Sequence, residues 1–301
     1  MDGAWLTIGV FDGVHLGHQA LINQLTAGAH ANSAPAVVLT FNPHPAVVLA
    51  GRQIPVLTTL DERAGLLFQL GVDVVISLEF TRELAAQSAH DFMQLVTSHL
   101  GLKKLLIGYD FALGRDRAGN FEHLSQVGTE LGFQVSALEP VLLGQGIISS
   151  TQIRQTLASG DVRAASAMLG RPYSLSGPVV PGDGRGRTIG IPTANVDVPT
   201  PQAMPMNGVY ACWALLEDQP HPAVVNIGLR PTFTAQGATG EILPRIEAHL
   251  LDQHTDLYGR TLTLQFVERL RDEQKFPSID ALVTQIQADI RSAHGLLLSA
   301  Q

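Results

Sequence analysis

The stretch GVFDGVHLGH, Gly9–His18, follows the apolar run AWLTIGV and decides the fold expected for the first half of the chain. Such a run, ending in glycines before a helix, predicts a β-strand and a tight turn. Gly9 and Gly13 let the backbone approach a ligand closely, and free N–H groups at the helix start favour an anion. His15 and His18 lie one helical turn apart, so both can donate hydrogen bonds to phosphate oxygens. An isolated H-x-x-H would more often be half of a metal site or a polar helix start, but the strand and the glycines favour phosphate.

Strand-like apolar runs alternate with helical patterns through the first half, which predicts an α/β domain with a parallel sheet. Thr59 and Glu62 form a capping-box pattern that begins one helix. Ser88 with Asp91 begins another helix, which Gly101 can end. The expected strands are Trp5–Val10, Ala36–Phe41, Val72–Phe80, Lys104–Gly108 and Phe133–Leu138, and the closing helices are Thr151–Ala158 and Asp161–Leu169.

After Arg171 the helical patterns give way to short strands separated by turns rich in glycine and proline. This pattern predicts an antiparallel β-barrel or sandwich. The expected strands are Leu175–Val180, Gly208–Leu216, Ala223–Ile227, Arg245–Leu251 and Thr261–Leu270. Ser278 can cap a C-terminal helix that packs against the barrel through one apolar face, formed by Ile279, Leu282, Ile286 and Ile290. We therefore expect two domains, residues 1–170 and 171–301.

Composition excludes several classes of protein. With 45% hydrophobic and 15% charged residues among 301, the chain has the composition of an ordinary globular protein. Its apolar runs are too short to span a membrane, and its start lacks a secretory signal, so we expect a cytoplasmic protein. Cys212 is the one cysteine, which excludes an intramolecular disulfide and a thiolate zinc site. The net charge of −8 argues against non-specific nucleic-acid binding, and we expect a monomer or a weak homo-oligomer.

A second polar stretch at a helix start, ISSTQIR at Ile148–Arg154, is a further candidate for phosphate binding. Ser149, Ser150 and Thr151 offer hydroxyl and backbone N–H groups, and Arg154 can grip a phosphate. A simple capped helix explains the same residues about equally well.

Two loops follow expected strands at their C-terminal ends, where open α/β sheets bind ligands. FNPHP, Phe41–Pro45, contains Asn42, and GYDFALGRDRAG, Gly108–Gly119, contains Asp110 and Arg117. The aspartate could hold a hydroxyl group or a metal and the arginine a phosphate. Either residue could equally be a solvated loop charge.

The stretch GPVVPGDGRGRTIGIPTANV, Gly177–Val196, contains neither a Walker A motif nor the G-x-G-x-x-G pattern. Its glycines make a pliant flap, and two arginines add positive charge; these residues are Gly182, Gly184, Gly186, Arg185 and Arg187. Thr193 and Asn195 would share a face if extended. Two neutral oxygens suit a magnesium ion that takes its other ligands from water and phosphates. A glycine-rich hairpin followed by a polar strand is the alternative.

Glu247 is a carboxylate on an otherwise apolar strand. A primary hydroxyl that attacks a γ-phosphoryl group needs a carboxylate to orient it and take its proton. A salt bridge at a strand edge would be the simpler explanation for an isolated glutamate.

The motifs of the first half resemble those of a known superfamily. GVFDGVHLGH resembles the H-x-G-H signature of nucleotidyltransferases, and ISSTQIR resembles their second motif. The two loops with Asn42 and Asp110 resemble segments of bacterial FAD synthetases. The resemblance implies a Rossmann-like nucleotidyltransferase domain that joins FMN and ATP into FAD and releases pyrophosphate.

Segments of the second half resemble, in order, those of the riboflavin kinase family. Besides the flap with PTAN, they are GVYACWA (208–214), NIGLRPTF (226–233), IEAHLLD (246–252) and LRDEQKF (270–276). The resemblance implies a six-stranded barrel that converts riboflavin and ATP to FMN and ADP. Nearly the whole chain is thus similar to the bifunctional riboflavin kinase/FAD synthetase family.

The resemblance also implies roles for individual residues. The expected catalytic residues are His15, His18, Arg154 and Glu247. The expected nucleotide-binding residues are Gly9, Phe11, Asp12, Gly13, Asn42, Asp110, Arg117, Ser150, Thr151, Gly182, Gly186 and Arg187. Thr193 and Asn195 would bind Mg²⁺ together with the co-substrate ATP, and Arg271 would lie on a loop that closes over the flavin.

Two other functions fit part of the sequence. One is a nucleotidyltransferase for another phosphorylated acceptor, with the barrel as an accessory domain; the PTAN stretch together with Glu247 argues against it. The other is a flavin-binding or storage protein without catalysis, for which magnesium ligands and two nucleotide sites would be superfluous.

Overall fold

The chain forms two compact units that divide after Ser150. The computed structural model describes residues 3–51, 53–144, 146–182, 184, 186, 189–198, 201–231, 242–251 and 256–298. Among these residues, no helix combines the length and the apolar character needed to cross a membrane.

The first unit is built on a five-stranded parallel sheet with the strand order β3-β2-β1-β4-β5. Its strands are β1 (Trp5–Ile8), β2 (Ala36–Asn42), β3 (Val74–Glu79), β4 (Lys104–Gly108) and β5 (Gln134–Leu138). All five predicted strands are confirmed. The first ends at Ile8 rather than Val10, because the backbone turns sharply from Phe11 to Val14.

Helices alternate with these strands, and the longer ones pack on both faces of the sheet and bury its apolar side chains. They are α1 (Leu16–Ala31), α2 (Pro45–Ala50), α3 (Leu60–Gln69), α4 (Arg82–Ala85), α5 (Ala89–Leu100) and α6 (Phe121–Leu131), and a small hairpin follows, formed by β6 (Leu142–Leu143) and β7 (Gly146–Ile147). One core cluster contains Met93 of α5 and Leu124 of α6 against Leu6. The other contains Ile22 of α1 and Leu67 of α3.

The predicted helix caps of the first unit are confirmed by hydrogen bonds. The N–H of Glu62 donates to Thr59 Oγ1 over 3.2 Å, and the N–H of Thr59 donates to Glu62 Oε2 over 2.7 Å. The N–H of Asp91 donates to Ser88 Oγ over 3.1 Å, and α5 ends at Gly101 with a φ of 57°. Short-range capping chemistry therefore fixes where these two helices begin.

The second unit is a closed antiparallel barrel with two helices before it and one after it. Its six strands follow the order β10-β11-β12-β9-β8-β13, and β13 pairs with β10 to close the ring. The elements are α7 (Ser150–Ala158), α8 (Val162–Leu169), β8 (Tyr173–Val180), β9 (Ala194–Val196), β10 (Gly208–Leu216), β11 (Gln219–Pro231), β12 (Ile242–Leu250), β13 (Thr261–Arg271) and α9 (Ile279–Leu298). The structure confirms the barrel and excludes the sandwich.

The C-terminal helix α9 packs on the barrel as predicted, but its predicted apolar face has two different environments. The N–H of Ala281 donates to Ser278 Oγ over 3.2 Å, which confirms the cap. Ile290 packs with the buried Ala293 and Leu297 against barrel residues. Ile279 is 66% exposed. Together with Leu282 and Ile286, it lines a cavity rather than packing in the core.

The boundary between the compact units lies earlier than the domain boundary expected at residue 170. Helix α8 packs against the barrel strands β8 and β13, and Arg163 forms an ion pair with Glu268. The N–H of Met206 donates to Leu157 O over 2.9 Å. Both helices before the barrel therefore belong to the second compact unit by their contacts. How the activities divide between 1–170 and 171–301 stays a proposal.

Candidate active sites

The first candidate site lies at the C-terminal edge of the parallel sheet. Strands β2, β1 and β4 are neighbours, and the chain runs outward from β1 to β3 before it returns to β4. An open α/β sheet binds its ligands at such a reversal of strand order. Asn42 ends β2, Gly9–His18 follows β1, and Asp110 follows β4. The sheet therefore brings these three predicted segments to one edge.

The loop between β1 and α1 has an unusual backbone. Phe11 and Val14 have φ values of 52° and 41°, and Gly13 has a φ of 80°. Side-chain-bearing residues adopt positive φ rarely, and such residues cluster at functional sites where the surroundings hold them. Phe11 and Val14 are buried, so packing holds the loop in this conformation.

Asp12 holds this loop from the interior rather than facing a ligand. Its carboxylate is 1% exposed and accepts hydrogen bonds from the N–H of Leu57 over 2.9 and 3.0 Å. It also accepts from the N–H of Thr58 over 3.1 Å, while Thr58 Oγ1 accepts from the N–H of Gly13. The carboxylate is therefore buried and already hydrogen-bonded, and the expected contact of Asp12 with a nucleotide stays a prediction.

Arg63 and Ser150 complete this support. Arg63 Nη2 lies 3.9 Å from Asp12 Oδ1, and Nη1 donates to Thr40 Oγ1 over 3.2 Å. Burial lowers the pKa of the Arg63 guanidinium, and the neighbouring Asp12 opposes that change. Ser150 Oγ donates to Asp12 O over 2.8 Å, which ties the second phosphate motif to the first. Sequence reasoning assigned no role to Arg63, which lies on α3, far from both motifs in the chain.

His15 and His18 form a stacked pair at the start of α1. Their ring centroids are 3.6 Å apart with 19° between the planes. His15 caps the helix, because its Nδ1 accepts from the N–H of His18 over 3.3 Å. A neutral His15 with Nδ1 as acceptor carries its proton on Nε2. A Cβ at Gly17 would lie only 3.1 Å from the His15 ring, so glycine leaves room for the stack.

His18 is held as a neutral imidazole. Its Nδ1 is buried and has no hydrogen-bond partner in the described part of the chain, although the residue as a whole is only half-buried. Burial lowers the pKa of His18 well below its ordinary value, and the nearby His15 and Arg63 lower it further. The edge of the Phe11 ring packs on the imidazole at 5.2 Å. A neutral, oriented imidazole can donate one N–H to a phosphate oxygen.

We expect His18 to remain neutral at a pH where an ordinary histidine is protonated. An NMR titration of the imidazole C–H resonances should show its midpoint well below 6.5, with a His18→Asn variant identifying the signal. Because the unfolded chain then binds the extra proton, the free energy of unfolding should fall as the pH drops from about 6.5 towards the lowered pKa. A midpoint at or above about 6.5 would contradict the burial of this ring.

The other predicted residues of this site differ in their surroundings. Gly9 is needed for packing, because a Cβ there would lie 3.0 Å from the Phe11 ring. Asn42 is exposed. Asp110 and Arg117 are exposed in one loop, where Arg117 Nη2 donates to Asp110 O over 2.9 Å. Thr151 (exposed) and Arg154 (half-buried) are on α7, in the second compact unit.

The second candidate site is a cavity of about 590 Å³ in the second unit. It is lined by predicted residues from the flap, from the PTAN stretch and from two strands: Gly184, Gly186, Thr193, Asn195, Glu247 and Arg271. Gly182 lies against this site, because a Cβ there would overlap the Asn195 amide. Arg187 lies outside the described residues. The cavity also contains residues without an individual prediction, among them Asn226, Arg245, His249, Phe276 and Asp289.

Glu247 sits between two amide side chains on adjacent strands. In the ladder, it pairs with Asn195 of β9 on one side and with Asn226 of β11 on the other. Ile246 and Ala248 are buried, whereas the side chain of Glu247 is 30% exposed, as expected for alternating faces of a strand. The donor set of one carboxylate and neutral oxygens fits Mg²⁺, which prefers oxygen ligands.

Arg245 contacts both Asn195 and Glu247. Its Nε and Nη2 donate to Asn195 Oδ1 over 2.8 and 2.6 Å, and Nη2 lies 2.9 Å from Glu247 Oε1. The sequence gives one indication that Arg245 belongs to the site. It stands two residues before Glu247, so both side chains lie on one face of β12. The amide oxygen of Asn195 therefore points at a positive charge.

Arg271 is the last residue of β13, not a loop residue as the resemblance implied. Its Nε and Nη2 donate to the buried carboxylate of Asp289 on α9 over 2.8 to 3.0 Å. Its guanidinium lies 5.7 Å from the centre of the Phe276 ring. The two-pronged ion pair fixes the strand end to the helix. The loop that follows Arg271 contributes further residues to the cavity lining.

Comparisons with known proteins identify two family models along the chain. Residues 1–152 match the model of the FAD synthetase family, and residues 169–297 match that of the riboflavin kinase family. Bifunctional riboflavin kinase/FMN adenylyltransferases match over nearly their whole length. The protein of Escherichia coli K12 is 42% identical over 96% of this chain and 91% of its own. The protein of Bacillus subtilis is 34% identical over 96% and 90%.

A solved structure shares the complete fold. A crystal structure from Streptococcus pneumoniae, described as a macrolide-efflux protein, superposes with a TM-score of 0.89 at 32% identity. The match covers 98% of this chain and 95% of the other. With two family models matched in order and relatives similar from end to end, this chain belongs to the bifunctional riboflavin kinase/FMN adenylyltransferase family.

Proposed function

We propose that the two activities of this family reside in separate parts of the chain, the FMN adenylyltransferase in residues 1–170 and the riboflavin kinase in residues 171–301. The chain phosphorylates riboflavin with ATP to give FMN, and it then adenylylates FMN with ATP to give FAD and pyrophosphate. The observation that carries the kinase assignment is the cavity that collects Glu247, Asn195 and Thr193 on the barrel.

In the kinase step, Glu247 is the proposed base. Its carboxylate orients the primary hydroxyl of riboflavin and accepts the hydroxyl proton as the new oxygen–phosphorus bond forms. The bond between the γ-phosphorus and the bridging oxygen breaks, and ADP leaves. Thr193 and Asn195 would hold Mg²⁺, which would neutralise charge on the ATP phosphates when bound. Gly182 and Gly186, with Arg187, would approach those phosphates.

Apolar residues of the same cavity suit the flavin ring. They come from β10, β11, α9 and the loop before α9: Val209, Val224, Phe276, Leu282 and Ile286. A flat heterocycle buries its faces in such a surface. Arg271 would contact the flavin from the strand end, held in place by Asp289.

In the adenylyl step, His15 and His18 are the proposed donors to the α-phosphate of ATP. A phosphate oxygen of FMN attacks the α-phosphorus, the bond to the β-phosphate breaks, and pyrophosphate leaves. The N–H groups of the histidines stabilise the charge that develops on the equatorial oxygens. Arg154, with Ser150 and Thr151, would hold phosphates, and the sheet-edge loops with Asn42, Asp110 and Arg117 would hold the rest of the nucleotide.

The remaining expectations concern the surroundings of the enzyme. We propose a cytoplasmic monomer or weak homo-oligomer whose partners are the small molecules riboflavin, FMN and ATP. The acidic net charge of −8 supports the absence of nucleic-acid partners. No membrane association is proposed.

Chromatography of the products formed from riboflavin, ATP and Mg²⁺ tests the complete proposal. We expect FMN to appear first and FAD to follow. A nucleotidyltransferase for another acceptor would leave riboflavin unchanged, and a flavin-storage protein would bind riboflavin without consuming ATP.

Three fragments test the division of activities. Residues 171–301 contain all kinase candidates and should phosphorylate riboflavin, whereas residues 1–170 should not. A fragment of residues 151–301 should do the same with a melting temperature higher by at least about 5 °C, because it keeps the packing of α8 on the barrel. Circular dichroism would measure folding and melting. A longer fragment that folds but does not phosphorylate riboflavin would contradict the assignment.

A further inference from the structure

Arg245 places a positive charge beside both groups proposed to serve the kinase step. The amide oxygen of Asn195 accepts two hydrogen bonds from this one guanidinium, over 2.8 and 2.6 Å. The same guanidinium lies 2.9 Å from Glu247 Oε1. All three side chains line the cavity of the second unit. One arginine therefore donates hydrogen bonds to the proposed metal ligand and forms an ion pair with the proposed base.

A guanidinium and a magnesium ion cannot use the Asn195 oxygen together. An amide oxygen has two lone pairs, and both are directed at donors of Arg245. A second cation at that oxygen would also repel the guanidinium strongly at such short distance. Binding of the metal at Asn195 thus requires that Arg245 leave it.

We propose that Arg245 competes with magnesium for Asn195 and releases Glu247 when the bound metal displaces it. The inference rests on the proposed magnesium ligands. As the guanidinium leaves Asn195, its ion pair with Glu247 is also broken or redirected. The carboxylate then becomes available to the hydroxyl of riboflavin. Arg245 is in this sense a positioning residue that couples metal binding to activation of the base.

The fold does not depend on this contact. Arg245 and Glu247 have side chains that are 26% and 30% exposed, and ion pairs with this access to water contribute little to stability. The backbone ladder between β9 and β12 holds Asn195 opposite Glu247 independently of the arginine. Replacement of Arg245 should therefore leave the barrel folded.

Titration of the full chain with Mn²⁺, followed by electron paramagnetic resonance without nucleotide, measures the competition directly. Mn²⁺ accepts the same oxygen ligands as Mg²⁺ and is visible to the method. We expect Arg245→Gln and Arg245→Met to bind Mn²⁺ roughly threefold to tenfold more tightly than the unaltered chain, because a charge-assisted contact no longer has to be broken. The gain should disappear in the double variant Arg245→Gln/Asn195→Ala.

Arg260→Gln is the matched control, since Arg260 pairs with Glu217 over 2.6 Å on the same barrel and is not among the cavity residues. It should titrate like the unaltered chain. Unchanged or weaker Mn²⁺ binding in both Arg245 variants would overturn the proposal, as would a gain that survives Asn195→Ala.

A further variant separates this inference from the proposed ligands. Asn195→Ala alone should raise the Mg²⁺ concentration that half-saturates riboflavin phosphorylation. If it does not, the ligand assignment fails, and the inference fails with it. If it does while the Arg245 variants leave Mn²⁺ binding unchanged, only the competition is wrong.

Discussion

Glu247→Gln should slow riboflavin phosphorylation by about 10² to 10⁴-fold, the range expected when a positioned general base is removed. Glutamine keeps the shape of the side chain and can still accept a hydrogen bond from Arg245, but its amide cannot take the proton of the hydroxyl. The carboxylate lies on a strand whose register is fixed by β9 and β11, so folding should scarcely change. Initial rates of FMN formation from riboflavin and ATP measure the loss.

The same variant should convert supplied FMN to FAD at the normal rate. The histidine pair of the first unit needs nothing from Glu247, so only riboflavin must pass through the damaged site. Glu217→Gln is the matched control, because Glu217 is a carboxylate of the same barrel whose side chain is 79% exposed and paired with Arg260. Equal losses with riboflavin and FMN would mean a shared site or a folding defect. Undiminished phosphorylation of riboflavin would remove Glu247 from catalysis.

Sequence patterns that span only a few residues predicted much of the fold. The Thr59–Glu62 capping box and the Ser278 cap are contacts between residues three apart, and both form as expected. Strand β9 is absent from the predicted strands, because three residues in a polar segment carry no periodicity. Helix α6 is also missing from the predicted elements, although Asn120 caps it and Gly132 ends it.

The sequence predicted site residues that belong to a recognisable motif, but not those that strand pairing brings in from distant segments. Glu247 and Asn195 belong to such motifs. Asn226 and Arg245 reach the same cavity only through the register of β9, β11 and β12, which no local pattern specifies.

Asp12 shows what a motif leaves open. It stands inside the histidine motif and was therefore expected to contact the nucleotide, but its carboxylate faces the interior and binds backbone N–H groups of another segment. The direction of a side chain in a strained loop follows from positive φ values that the sequence does not reveal. A motif thus indicates the location of a site more reliably than the role of each residue in it.

His18→Ala should lower FAD formation by about 10² to 10³-fold, the loss typical of removing one preorganised donor from a developing oxyanion. The donor is effective because it is already oriented. His18 stacks on His15 at 3.6 Å, packs against Phe11, and stays neutral through burial, so no reorganisation is needed when the α-phosphorus changes geometry. Rates of FAD formation from FMN and ATP measure the effect, with riboflavin phosphorylation followed in the same samples.

Phosphorylation of riboflavin should survive in the His18 variant, because every proposed kinase residue lies in the other unit. His30→Ala is the matched control: His30 lies on the same helix α1, and its ring is half exposed and bonded to Asp73 over 3.0 Å. It should retain normal FAD formation. Loss of FAD formation in both variants would point to damage of the helix rather than of the chemistry. Full FAD synthesis in His18→Ala would show that His18 does not act on the phosphate.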